Sequence, residues 1–212
     1  MSRGSVSIIG GDSFVGKKLY NYFISSGLDV CRTSHKVKKN FLHLDLLREP
    51  NKWPKIDSEF AVICAGITST EKCRLNKDSY KINVSSTLKL INKLSSEGVF
   101  VVFLSSSQVF DGKSPNYSRD SISNPLSVYG KHKHIVEQNI KKDFSNKCIL
   151  RITKILTKES AFFREIHTQL NIGKNVEAFN NYFISPVTIN LTCKVIANII
   201  KLKKEGIYQL SS

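Results

Sequence analysis

Short apolar runs alternate with longer stretches in which apolar side chains recur at helical spacing along the 212-residue chain. The first run is "SVSII". It leads into "SFVGKKLYNYFISSG", where Phe14, Val15, Leu19, Tyr22 and Phe23 keep helical spacing and Gly27 supplies a C-terminal cap. "LDVCRT" and "NFLHLDL" predict a second and a third strand. Past a loop holding Pro50 and Pro54, "EFAVICAG" predicts a fourth, and "DSYKINVSSTLKLINKLSSEG" a long amphipathic helix. "VFVVFLSSS" is almost wholly apolar before its serines, which predicts a fifth strand buried on both faces, as in a parallel sheet. A polar loop over 108–124 precedes the helical "PLSVYGKHKHIVEQNIKK" and the sixth strand "KCILRITKI". Beyond Thr157 the pattern loosens. "SAFFREIHTQL" predicts a helix, "NVEAFNNYFISPVT" is irregular with room for one short strand, and "INLTCKVIANIIKLKKEG" and "IYQLS" predict a last helix and strand.

This alternation predicts an α/β fold, a doubly wound parallel sheet. Ligands of such sheets bind beyond the carboxyl ends of the strands, where the strand order reverses. The first such end reads "GGDSFVG", with Gly10, Ser13 and Gly16 in a G-x-x-S-x-x-G spacing. Glycines there allow close approach of the backbone to a pyrophosphate, and the following helix offers free N–H donors. A tight structural corner would use the same residues. The second strand ends "CRTSH". Arg32 can pair with a phosphate through its planar fork, and Thr33 or Ser34 can donate to it, which favours NADP over NAD. Asp45 follows the third strand as an acceptor for an adenine amino group, and Ala65 and Gly66 after the fourth are small enough for a cofactor to pass. Tyr129 and Lys133 stand four apart at the start of a helix, on one face. The ammonium there is expected to lower the phenol's pKa, so that Tyr129 exchanges a proton with a carbonyl or alcohol oxygen. Ser105, Ser106 and Ser107 close the fifth strand, where a hydroxyl can bind the same oxygen. His132 and His134 are expected on the helix surface, and Asp12 as a turn residue.

Composition narrows the class further. The 41% apolar content supports a sizeable core, and the 23% charged content argues against wholesale disorder. The net charge of +15 comes from basic residues scattered along the whole length, and the densest run, "HKVKKN", is short and carries no interleaved aromatics, which reads as a solvated basic surface and not a nucleic-acid site. Five cysteines without a Cys-x-x-Cys pair suggest neither a disulfide framework nor a metal site, and Cys31, Cys64 and Cys148 read as small buried hydrophobes. A reducing cytoplasm fits this usage, and no apolar segment approaches the length of a membrane span.

Taken in order, "GGDSFVG", "HLDL", "CAG", "NV" (Asn83), "SSSQVFDG", "NPLSVYGKHKHIVE", "LRITKI" and "SPVT" resemble the extended short-chain dehydrogenase/reductase family, in its dTDP-4-dehydrorhamnose reductase branch. The likeness is clearest from Val6 to Arg151. It implies a Rossmann-like unit over 1–157 and, over 158–212, shortened elements of a substrate lobe plus the final helix and strand of the same fold. Family members continue past the strand that matches "GIYQLSS". The resemblance implies a catalytic set of Ser106, Tyr129 and Lys133. Tyr129 would be the proton donor, Ser106 would polarise the carbonyl, and Lys133 would hold the nicotinamide ribose. It places Gly10, Ser13, Phe14, Val15 and Gly16 on the pyrophosphate loop, with Ser13 where the family has a glycine. Arg32, with Thr33 and Ser34 beside it, falls on the NADP-selective position, Asp45 and Leu46 on the adenine contact, and Cys64, Ala65 and Gly66 along the cofactor. The implied reaction is hydride transfer from NADPH to a nucleotide-linked 4-keto sugar, with sugar-nucleotide epimerase or dehydratase as a variant. A non-catalytic NADP-binding regulatory or scaffold protein of the same fold is the alternative. The resemblance also implies a homodimer through helices near 79–96 and 128–142.

Overall fold

The computed structural model describes residues 4–157, 160–177, 180 and 183–212. Strands β1 (Ser5–Ile9), β2 (Asp29–Ser34), β3 (Leu42–His43), β4 (Phe60–Ile63), β5 (Phe100–Ser106), β6 (Lys147–Ile152) and β9 (Gly206–Leu210) form one seven-stranded sheet in the order β3-β2-β1-β4-β5-β6-β9. Every pairing is parallel. Two further strands, β7 (Ile155–Leu156) and β8 (Val187–Thr188), pair with each other beside it. The expected doubly wound parallel sheet is therefore present. The chain leaves β1 toward β2 and β3, then returns to β4 on the other side of β1. The ends of β1 and β4 are thus the point at which the order reverses, and both carry the small residues singled out above.

Strand β4 and the first five residues of β5 are wholly apolar because both faces of the sheet centre are covered. Along β5, Phe100, Val102 and Leu104 join one core and Val101 and Phe103 the other. The first core takes Leu19 and Phe23 from α1 (Phe14–Ser25) and Cys193 and Ile196 from α6 (Ile189–Lys201). The second takes Leu90, Ile91 and Leu94 from α3 (Thr87–Ser96) and Val136 and Ile140 from α4 (Val128–Ile140). Each fully buried Leu, Ile or Phe adds roughly 1.5–3 kcal/mol.

Four elements differ from the expectation. The sixth strand ends at Ile152, and Ile155, the last residue of its expected span, belongs to β7. The third strand keeps only two residues. Leu44 still donates to the Ser34 carbonyl at 2.9 Å, but Asp45 then turns the chain by accepting from Leu47 N with its own carboxylate. The segment after β4 forms a short helix, α2 (Thr70–Leu75), capped by Ser69, that the periodicity does not show. The long helix expected over 78–98 begins with a π-helical stretch, Lys81–Ser86, before α3. At the C-terminal side, α5 (Ala161–Asn171) matches the predicted helix. The irregular stretch 175–188 lies partly outside the described residues, and its described end contains β8.

Candidate functional site

Gly10 begins the corner at the end of β1 with φ of 81°, and a Cβ there would sit 2.7 Å from the Ala65 backbone after β4. The two loops therefore touch only because residue 10 has no side chain. Thr33 fixes the corner from below: its Oγ1 accepts from Gly10 N at 3.0 Å and its carbonyl from Gly11 N at 2.8 Å. Ser13 caps α1, its Oγ accepting from Gly16 N at 3.1 Å. A side chain at Gly16 would strike the Gly10 carbonyl oxygen. The serine that stands in place of a glycine is thus the helix cap, and the first turn of α1 carries no acidic residue to oppose an anion. Val15 packs into the core, while Phe14 is half exposed.

A cavity of about 450 Å³ opens between these loops. Of the expected residues it is lined by Gly10, Ser13, Asp45, Leu46, Cys64, Ala65 and Gly66, and Asp12, His35 and Ile67 join them. Asp12 carries more structure than a turn residue. Partial burial works against its charge, but hydrogen bonds from Lys38 Nζ (2.7 Å) and Ser34 Oγ (3.0 Å) outweigh this and hold its carboxyl below the usual range. Thr33 and Ser34 are both buried, and their hydroxyls serve Gly10 and Asp12. Arg32 lies outside the cavity lining, its guanidinium stacked between the rings of Tyr20 and Phe41 at 4.0 and 4.1 Å from their centroids.

Ser106, Tyr129 and Lys133 gather at the end of β5 and the start of α4. Ser106 Oγ accepts from Gln108 N at 3.2 Å, which leaves its own proton to donate. Ser127 caps α4 by accepting from Gly130 N, and its hydroxyl donates to Gln108 Oε1 at 2.8 Å. A side chain at Gly130 would collide with the Gln108 carbonyl, so α4 starts in direct contact with the turn that follows Ser106. Lys133 Nζ donates to the Leu104 carbonyl at 2.7 Å and lies 5.6 Å from the Tyr129 ring centroid. Burial lowers Lys133 to about 8, against the fields of Cys64, Glu137 and Cys73. The expected lowering of Tyr129 is not found. Burial pushes the phenol above its ordinary value, and the field of Cys73 adds to this. A phenol in this setting stays protonated at neutral pH, as a donor must.

Cys64 connects the two halves of the site. It lines the cavity and interacts electrostatically with Lys133, while burial pushes its thiol up to about 12. Cys148 is buried as expected, whereas Cys31 and Cys64 are only half-buried.

Asn83 carried no assigned role, yet it holds the cavity wall. Its Oδ1 accepts from Ile67 N at 2.8 Å and its Nδ2 donates to Ile67 O at 2.9 Å. It sits in the π-helical stretch, a distortion that often accompanies functional residues. The same Nδ2 lies 3.4 Å from His132 Nδ1. His132 is therefore not on the surface, as expected, but buried between α4 and the 73–83 segment, its ring edge-on to Tyr80. A second feature missed in the sequence is the ion pair of Glu137 and Arg151, both 0% exposed, at 2.7 Å. Glu137 also accepts from Ser105 Oγ at 2.6 Å. Among the described residues no cluster of His, Cys, Asp or Glu could hold a metal ion, and no helix is long and apolar enough to cross a membrane.

This sheet, with its glycine corner at the switch point and its Ser–Tyr–Lys grouping beside it, defines an extended short-chain dehydrogenase/reductase. The sequence matches the family described as RmlD substrate binding domain over residues 4–212, and the chain belongs to that family. A hypothetical dTDP-4-dehydrorhamnose reductase from Sulfolobus tokodaii superposes with a TM-score of 0.84 at 25% identity, over 98% of this chain and 76% of that one. The dTDP-4-dehydrorhamnose reductase of Bacillus anthracis, solved in complex with NADP, gives 0.83 at 20% identity, over 99% and 75%. Among curated proteins, methionine adenosyltransferase 2 subunit beta of Danio rerio is 26% identical over 152 residues, 69% of this chain and 46% of its own length. Its Xenopus tropicalis counterpart is 37% identical over 71 residues, 34% of this chain and 21% of its own length. The matched stretches therefore span less than half of those two relatives.

Proposed function

We propose that the protein is an NADP(H)-dependent reductase of a nucleotide-linked 4-keto sugar, with Tyr129 as proton donor. The observation that carries this reading is the link made by Cys64, which lines the cavity at the glycine corner and interacts with Lys133 of the Ser106, Tyr129 and Lys133 group; none of those three lines the cavity itself. The residues present fit a dinucleotide. The corner leaves no room for a Cβ, the α1 N-terminus is free of acidic side chains, and the remaining carboxylate oxygen of Asp45 can accept from an adenine amino group. Arg32, outside the lining but with its stem against Gly11, has the planar fork that suits a 2′-phosphate.

When bound, the reduced nicotinamide supplies a hydride. Ser106 donates a hydrogen bond to the substrate carbonyl oxygen and polarises it. Tyr129, kept protonated by burial, passes its proton to that oxygen as negative charge develops there. Lys133 retains two N–H groups beyond its bond to Leu104, and these can hold the nicotinamide ribose hydroxyls. Asn83 fixes the Ile67 backbone and so the width of the cavity. The reading includes a cofactor-binding unit over 1–157 and a homodimer through the outward faces of residues 79–96 and 128–142.

A second reading, a dinucleotide-binding regulatory subunit without turnover, draws on the likeness to methionine adenosyltransferase 2 subunit beta. An NADPH titration followed by a turnover screen of 4-keto nucleotide sugars separates the two. The reductase turns over at least one sugar, and the regulator binds NADPH and consumes none.

A further inference from the structure

The side chain of Arg32 is built into its place more thoroughly than a strand-end arginine needs to be. Tyr20 from α1 and Phe41 from the loop before β3 cover both faces of the guanidinium. Its Nε donates to the Asn40 carbonyl at 3.4 Å, and Asn40 adopts a left-handed φ of 63° to present that oxygen. Its stem lies against Gly11, where a Cβ would come within 2.5 Å of the Arg32 Cβ. Among the described residues no hydrogen bond takes Nη1 or Nη2. Lys38 Nζ stands 5.7 Å from the same Phe41 ring, tied at 2.7 Å to Asp12, which lines the cavity.

We propose that Tyr20 and Phe41 are specificity-determining residues: by occupying both faces of Arg32 they leave only its in-plane fork for a ligand, and that fork selects a dinucleotide carrying a 2′-phosphate. The inference rests on the reading of this corner as a dinucleotide site. An arginine with a free face can stack on an adenine and so serves phosphorylated and unphosphorylated dinucleotides alike. An arginine stacked on both sides offers only its edge, whose geometry matches a phosphate in bidentate fashion. The sandwich also removes rotamer freedom before the ligand arrives, so less is lost on binding. Lys38 is a second cation beside the seat. Its pairing with Asp12 keeps that carboxylate from facing the phosphate unpaired.

The test is isothermal titration of the full chain with NADPH, NADH and 2′,5′-ADP. The wild type binds NADPH roughly tenfold or more tighter than NADH. Tyr20→Leu and Phe41→Leu each lose about three- to tenfold toward NADPH and 2′,5′-ADP, with NADH affinity unchanged. Tyr20→Phe, which keeps the ring, behaves as wild type. An NADPH-to-NADH ratio that is unchanged in both leucine variants overturns the proposal while the cofactor reading stands. Binding of neither dinucleotide by the wild type overturns both. Should the leucine variants not fold, Arg32→Ala in folded protein decides: an unchanged ratio overturns the proposal, and a collapsed ratio for Arg32→Ala together with a preserved one for Tyr20→Phe supports it.

Discussion

The Lys133 ammonium donates to the Leu104 carbonyl oxygen at 2.7 Å, two residues before Ser106 on the same strand. One turn further along α4, Glu137 accepts from Ser105. Successive side chains of the helix thus grip successive residues of the strand end. The relative placement of Tyr129 and Ser106 follows from this docking.

Burying Lys133 has a consequence for stability. Its pKa falls from 10.5 to about 8, so between those values the unfolded chain holds a proton that the folded chain has lost. Stability contributed by this group therefore rises with pH across that window, by on the order of 3 kcal/mol in total. Urea melts of wild type and Lys133→Met should show a difference that shifts in favour of wild type from pH 7 to pH 10. A pH-independent difference contradicts the assignment.

Tyr129→Phe removes a proton donor and little packing. Turnover is expected to fall by about 10²–10⁴, with the NADPH dissociation constant within about threefold of wild type. Paired kinetics and titration check this, and a parallel loss of binding would mean that the hydroxyl serves cofactor binding and not proton transfer alone.

Gly10→Ala places a methyl group 2.7 Å from the Ala65 backbone at a φ of 81°. The expected outcome is a loss of about 2–4 kcal/mol in stability and of measurable cofactor binding. Denaturation and titration of the same preparation read both effects.

Arg151→Met strands the Glu137 carboxylate in the core, at a cost of about 3–5 kcal/mol. The double variant Glu137→Gln, Arg151→Met removes both charges and should recover much of that loss. Additive losses in a double-mutant cycle would show that the two side chains act independently.

The sheet was legible because its strands are short apolar runs separated by amphipathic helices, and Gly10, Asp45, Ala65 and Gly66 stand where the chain leaves those runs. What stayed hidden depends on contacts between distant segments. No local signal marks the π-helical stretch that turns Asn83 toward Ile67. His132 reads as a surface residue on helical spacing alone, because the segment covering it lies some fifty residues earlier, at Tyr80 and Asn83. The pairing of Glu137 with Arg151 joins a helix to the next strand and has no spacing rule. The Y-x-x-x-K spacing put Tyr129 and Lys133 together, but the direction of the tyrosine's shift was set by burial, with the field of Cys73 adding to it.

The most direct test of the account is deuteride transfer. The full chain is incubated with NADPH deuterated on the reactive nicotinamide carbon and with a panel of 4-keto nucleotide sugars, and the products are weighed by mass spectrometry. The account predicts that one sugar gains deuterium at the carbon that bore the ketone, in wild type and not in Tyr129→Phe. NADPH that binds saturably and delivers no deuterium to any sugar would contradict it.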